Sequence, residues 1–175
     1  MEIAVDNTFK KNYYMENQIE LFVKIAIDAW NSQLARTNEL INNLTADQLH
    51  GQVSPGRNSG IYLLGHLTAV HDALFPLLGF GQKLYPEMEN IFIKNPDNSG
   101  LEKPSVAEVI SAWKAVDLKL SQEMAALTPE DWMQRHTSVS EEDFKKEPHR
   151  NRLNVLVSRT NHLSYHRGQL IFLKK

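Results

Sequence analysis

Apolar residues in the first part of the chain recur at steps of three and four. Between Asn17 and Leu44 the series Ile19, Phe22, Ala26, Trp30, Leu34, Ile41 and Leu44 keeps to one helical face, and Thr37 holds the phase where no apolar residue stands. This spacing predicts a long amphipathic helix that stops at "LTADQL", where Thr45 and Gln48 can close a capping box and begin a short helical turn. The breaker-rich "SPGRNS" (Ser54 to Ser59) predicts a loop, with Asn58 or Ser59 as N-cap of a second helix over "GIYLLGHLTAVHDALFPLL", roughly Ser59 to Leu78.

From Gly79 to Lys103 the chain carries Gly79, Gly81, Pro86, Pro96, Gly100 and the turn "NPDNSG", which predicts a long connection with at most one short helix. A third helix then starts at Ser105, with Glu108 completing its box and Val106, Val109, Ile110, Trp113, Leu120, Met124 and Leu127 forming its stripe. It ends at "LTPEDW", a second Leu-Thr turn with Pro129 at the first helical position. The polar "HTSVSEEDFKKEPHRN" reads as a linker, and a last helix runs from about Asn151 to the end. Long helix, Leu-Thr turn, polar linker and histidine-bearing helix thus occur twice, a weak internal repeat. No strand pattern emerges. The expected architecture is all-α: one domain over residues 1–175, a four-helix bundle with a long crossover connection, whose core can assemble a metal site from facing helices.

Composition narrows the chemistry. A chain of 175 residues can bury a core without staples, and a formal net charge of -2 gives no electrostatic reason to expect nucleic acid as partner. With no cysteine, disulfides, thiolate metal sites and a cysteine nucleophile are excluded, so any metal must be held by histidine or carboxylate. The N-terminal "MEIAVDNTFKKNYYMENQ" lacks the basic and apolar regions of a secretory leader, and "ALFPLLGF" is too short to span a bilayer. The expected location is the cytoplasm, with no membrane partner.

Candidate chemistry gathers on the histidines. His162 and His166, in "TNHLSYHRGQL", are four residues apart, about 40° around a helix, so their rings share a face one turn apart. Val155, Ser158, Arg159, Gln169 and Leu173 lie on or near that stripe, which therefore looks inward. A third ligand has to come from another element, and His66 stands on the second helix in an apolar stripe with Ser59, Tyr62, Leu63, Val70, Ala73 and Leu77. His71, about 140° from His66, is expected at the surface or only partly buried. A lone histidine on an apolar face also describes a hydrogen-bonded core residue, and i,i+4 pairs also occur on solvated faces. Jointly, an inward pair and an inward third imidazole make a three-nitrogen metal site with open positions. Leu163 occupies the place where a zinc peptidase has its glutamate, which disfavours that chemistry.

"GIYLLGHLTAVHDALF" together with "TNHLSYHRGQLIFL" resembles the DinB-like superfamily of small bacterial metalloproteins, including the YfiT group and thiol-dependent transferases and isomerases. The likeness extends over nearly the whole chain, and His-x-x-x-His-x-Gly-Gln-Leu is its most specific part. The resemblance implies a four-helix bundle of unusual connectivity with His66, His162 and His166 as metal triad. It also implies zinc or nickel, frequent homodimers, and a metal-dependent transferase or hydrolase acting on a small-molecule substrate, with a low-molecular-weight thiol as cosubstrate in some members. The family pattern continues a little beyond this motif, so the last turn here is expected to be less supported.

Other residues offer themselves around the triad, each with a plainer reading beside it. Tyr62 could donate a proton or fill the core, Gln169 could orient a histidine or bond between helices, and Arg159 could meet an anionic group or be solvated. Arg57, Arg150 and Arg152 at helix starts are further candidates for a carboxylate, against solvation. His136 and His149 could swing over the site from the linker, against a surface role. Gly168 suggests close helix packing.

Overall fold

The computed structural model describes the backbone of residues 2–174 and the side chains of residues 18–174. The reading of residues 1–18 as no secretory leader falls almost wholly on side chains outside those described. Nine helices are present among the described residues: α1 (Glu2–Asn42), α2 (Ala46–His50), α3 (Gly60–Asp72), α4 (Leu74–Leu78), α5 (Met88–Phe92), α6 (Val106–Ala125), α7 (Pro129–Met133), α8 (Glu141–Lys146) and α9 (Arg152–Leu170), followed by a 3-10 turn (Ile171–Leu173). No strand occurs among them, only two isolated bridges, Gln52 with Ser59 and Arg135 with Asn151. The chain is all-α, as its periodicity predicts.

The capping chemistry sets the helix starts. Thr45 and Gln48 close the box before α2, Ser105 and Glu108 the one before α6, and Thr128 with Asp131 a third before α7, where Pro129 sits at N1. Ser59 caps α3 and Asn151 caps α9. Three expectations change. The second helix breaks at Ala73 into α3 and α4, and the polar linker contains α8, capped by Ser140 with acids in its first turn and lysines in its last. Along α1, Val23 rather than Phe22 takes the inward position; Phe22 is 61% exposed.

Four long helices carry the bundle. α9 lies along α1, and α3 packs against α6, α5 and α9. Gly60 backs onto Leu49 and Leu173, so the start of α3 and the end of α9 meet at one end. At the other end Arg152 donates to the Asp131 carbonyl and approaches Gly79. Because Ser59 and Ser105 border one cleft, α3 and α6 start at the same end, and the chain must return the length of the bundle between them. That crossover is pinned by two acids, Asp72 buried and Asp97 half-buried. The Asp72 carboxylate accepts from the backbone N–H of Leu84 (2.7 Å) and Tyr85 (2.9 Å), and Asp97 accepts from the Ser59 N–H (2.6 Å) while pairing with Lys103 (2.9 Å).

The α3 segment is enclosed almost completely: every residue from Gly60 to Asp72 is buried except His66, which is half-buried. The stretch Gly60–Leu78 is long and apolar enough to cross a membrane by length and composition alone, but 78% of its apolar window is buried inside the fold. Leu64, Leu67, Phe75, Trp30, Trp113 and Trp132 are among the largest fully buried side chains.

One close approach in this core bears on the site. A Cβ at Gly65 would land in the ring of Phe92, so glycine is what lets α5 press onto α3 beside His66. Gly65→Ala is expected to cost about 1–3 kcal/mol by overpacking and to shift α5 outward. Chemical denaturation measures the first effect, and zinc affinity of the variant the second.

Candidate metal centre

Three imidazoles meet in the groove between α3 and α9. The Nε2 atom of His162 lies 3.2 Å from that of His66 and 3.1 Å from that of His166, all three rings half-buried. These residues offer ligand atoms that lie within 4.8 Å of one another, close enough to hold a single ion. Two nitrogens bound to one ion at 2.0–2.1 Å stand about 2.9 Å apart at a right angle and about 3.3 Å apart at the tetrahedral angle. The observed separations fall between those values, so the donor set fits a small divalent ion.

The far sides of the rings say which nitrogen is free. His66 Nδ1 is 2.8 Å from the Phe92 carbonyl oxygen, which can only accept, so the ring's proton sits there and its Nε2 carries a bare lone pair. His166 Nδ1 likewise donates to Gln169 Oε1 at 2.7 Å, while the amide nitrogen of Gln169 donates to the Tyr165 hydroxyl at 3.3 Å. His162 Nε2 could donate to only one of its two neighbours. A shared cation satisfies all three lone pairs at once; His66 and His166 have the outer hydrogen bonds that metal-ligating histidines adopt, while His162 Nδ1 is buried without one.

Electrostatics agree. Burial, then the rings of His166 and His66 and the Arg159 guanidinium, push His162 down to about 4. Burial also lowers His166, against the opposing Gln169 bond. At neutral pH these two rings are therefore deprotonated and ready to coordinate, so protons compete little with a metal. Gln169 is the side chain that fixes His166. Gln169→Ala is expected to weaken zinc binding about 10–100-fold without unfolding the protein, measured by competition with a chromophoric chelator.

The remaining candidates are placed as follows. Tyr62 is buried and its hydroxyl donates to the Asn95 carbonyl at 2.7 Å, which ties the crossover to α3; burial first, then Asp97, raises its pKa. Arg159 lies half-buried beside His162. Arg150 pairs with Glu147 (3.1 Å), and His149 is exposed. His136 is half-buried, its pKa lowered by burial and by Arg150. Arg57 and Asn58 border a cavity of about 520 Å³ that Tyr165, Gln169 and Phe172 also line. Tyr165 packs edge-on against His166 with centroids 5.0 Å apart, so this cavity adjoins the triad on its α9 side.

Two expectations are corrected. Gly168 is exposed, and a Cβ there would meet nothing within 4 Å, so it serves no close helix packing. His71 is not at the surface: it is fully buried between Trp30 and Trp113, each ring centroid 4.9 Å away, with Nδ1 3.3 Å from Asp117 Oδ1. Its rotation away from His66 is as expected, but α3 is buried on that side too. The Phe92 carbonyl is a partner that no sequence signal marks, being a backbone atom on a crossover helix.

Comparison with curated proteins gives no match. Comparison with protein families matches residues 29–170, which span the whole triad, to the DinB superfamily. Helix order, triad and family match coincide on the same residues, and the chain belongs to the DinB superfamily.

Proposed function

We propose that this protein binds one divalent ion, zinc or nickel, on His66, His162 and His166, and that it is a metal-dependent transferase or hydrolase of small molecules in the cytoplasm. The observation that carries this reading is the convergence of three Nε2 lone pairs whose opposite ring nitrogens are already committed or buried. An ion held by three neutral imidazoles keeps its full charge and an open position, and it supplies the Lewis acidity that brings a water or thiol toward ionisation near neutral pH. With no cysteine in the chain, a thiol nucleophile would arrive as a cosubstrate.

The chain's own residues would do the positioning. The Phe92 carbonyl and Gln169 fix the rings of His66 and His166, and the enclosed α3 prevents His66 from swinging away. Half-burial of the triad leaves it reachable from solvent while most of each ring is dry. The test is a screen of electrophiles with protein purified without a histidine tag, with and without low-molecular-weight thiols. Metal-dependent consumption, lost in His166→Ala with the fold intact, is the expected result. Stoichiometric metal with no turnover of any electrophile would make the protein a metal-binding or sensing protein instead.

A further inference from the structure

Arg159 presents an uncompensated charge beside the triad. It is half-buried, its Nε is buried without a hydrogen-bond partner, and among the described residues no carboxylate pairs with it. Burial lowers its proton affinity, and no acid among the described residues opposes this. Three other arginines are engaged through a terminal nitrogen: Arg135 donates to the Val139 carbonyl (2.8 Å), Arg150 to Glu147 (3.1 Å) and Arg152, whose Nε is also buried without a partner, to the Asp131 carbonyl (3.3 Å). A guanidinium that gives up water without gaining an anion is costly, and such groups are placed where a ligand supplies the charge.

Its position on α9 gives the direction. Arg159 precedes His166 by seven residues, about 20° from the same line along the helix, and its charge acts on His162, which lies between. Arg159, His162, His166 and Gln169 therefore form one column facing α3. Arg167, whose Nε is also unpartnered, is turned about 100° from His166 and is not among the charges acting on His162. Among the described residues no acid acts on His162, whose charged neighbours are imidazoles and Arg159.

We propose that Arg159 is the anion-recognition residue of the site, and that the substrate is a small carboxylate whose acid group sits on Arg159 while its other end reaches the triad. This rests on the metal-centre reading above. One guanidinium fork matches one planar carboxylate, held by two parallel charge-assisted hydrogen bonds. The rise over three to seven residues sets the separation between acid group and reacting end at about 4.5–10.5 Å.

Two probes of one shape test it on zinc-loaded protein by calorimetry: glutaric acid monohydroxamate and its terminal amide. Both present the same metal-binding hydroxamate, and only the first carries the acid. The acid is expected to bind at least about tenfold tighter. Arg159→Gln should bring the two within about twofold of each other at unchanged zinc content and melting temperature, and Arg159→Lys should keep part of the preference, which a purely structural arginine would not do. Equal affinity of the two probes for the zinc-loaded wild type, or a preference that survives in Arg159→Gln, overturns the assignment and leaves the metal centre standing. No retained zinc and no binding of either probe overturns both.

Discussion

His162→Ala is expected to lower zinc affinity by far more than about 100-fold, leaving protein that is folded but metal-free after dialysis. The magnitude follows from its place. Its Nε2 is the middle nitrogen of the three, 3.2 Å from one neighbour and 3.1 Å from the other, and losing a supporting partner of a ligand already costs about 10–100-fold. Its removal leaves His66 and His166 as two ligands, too few for a tight site. Stability of the metal-free protein should hardly fall, because a half-buried imidazole with an unpartnered Nδ1 contributes little to folding. With its pKa held at about 4 in the fold against about 6.5 when unfolded, His162 binds protons more readily in the unfolded chain. Its neutral form therefore supports the metal-free fold above about pH 6.5, and that support is lost as pH falls toward 4. The alanine variant should show a shallower acid destabilisation over that window. Elemental analysis and pH-dependent urea melts measure the two effects, and full zinc occupancy in the variant would remove His162 from the centre.

His71→Ala acts on stability instead. The ring fills a slot between Trp30 and Trp113, themselves 2% and 1% exposed, and it faces Asp117, whose carboxyl is held above the usual range by burial despite its bonds to His71 and Asn38. Asn38 also accepts from Trp113 Nε1 at 2.6 Å, so one polar network threads the apolar core. Truncation leaves a cavity between two indoles and a buried carboxyl with one partner fewer. The expected loss is about 3–5 kcal/mol, a large part of the stability of a domain this size. His71→Phe with Asp117→Leu, which fills the slot and removes the stranded acid, should recover most of it. A loss below about 1 kcal/mol in His71→Ala, read from urea unfolding, would show that water reaches this pair.

Much of this architecture is legible in the sequence, for local reasons. Capping at Thr45, Ser59 and Ser105 is chemistry between near neighbours, and the stripes of α1 and α6 follow from one apolar face per helix. The His162 and His166 pair is set by helix geometry alone. What escapes is what depends on surroundings. Periodicity assigns a helix one inward face, but α3 is covered on all sides except at His66, so rotation away from that residue led not to solvent for His71 but into the core. α8 has no apolar stripe and is carried by its Ser140 cap and charges, so a reading based on hydrophobic pattern passes over it. Arg159 could be placed beside the triad by counting, but only the fold shows that no described acid neutralises it.

The most direct measurement is X-ray absorption at the zinc edge on protein reconstituted with one equivalent of zinc. Three imidazole nitrogens at about 2.0–2.1 Å with one further oxygen ligand completing the shell is the predicted result. A shell dominated by carboxylate oxygens, or a spectrum of unbound zinc in water, would contradict the three-histidine centre.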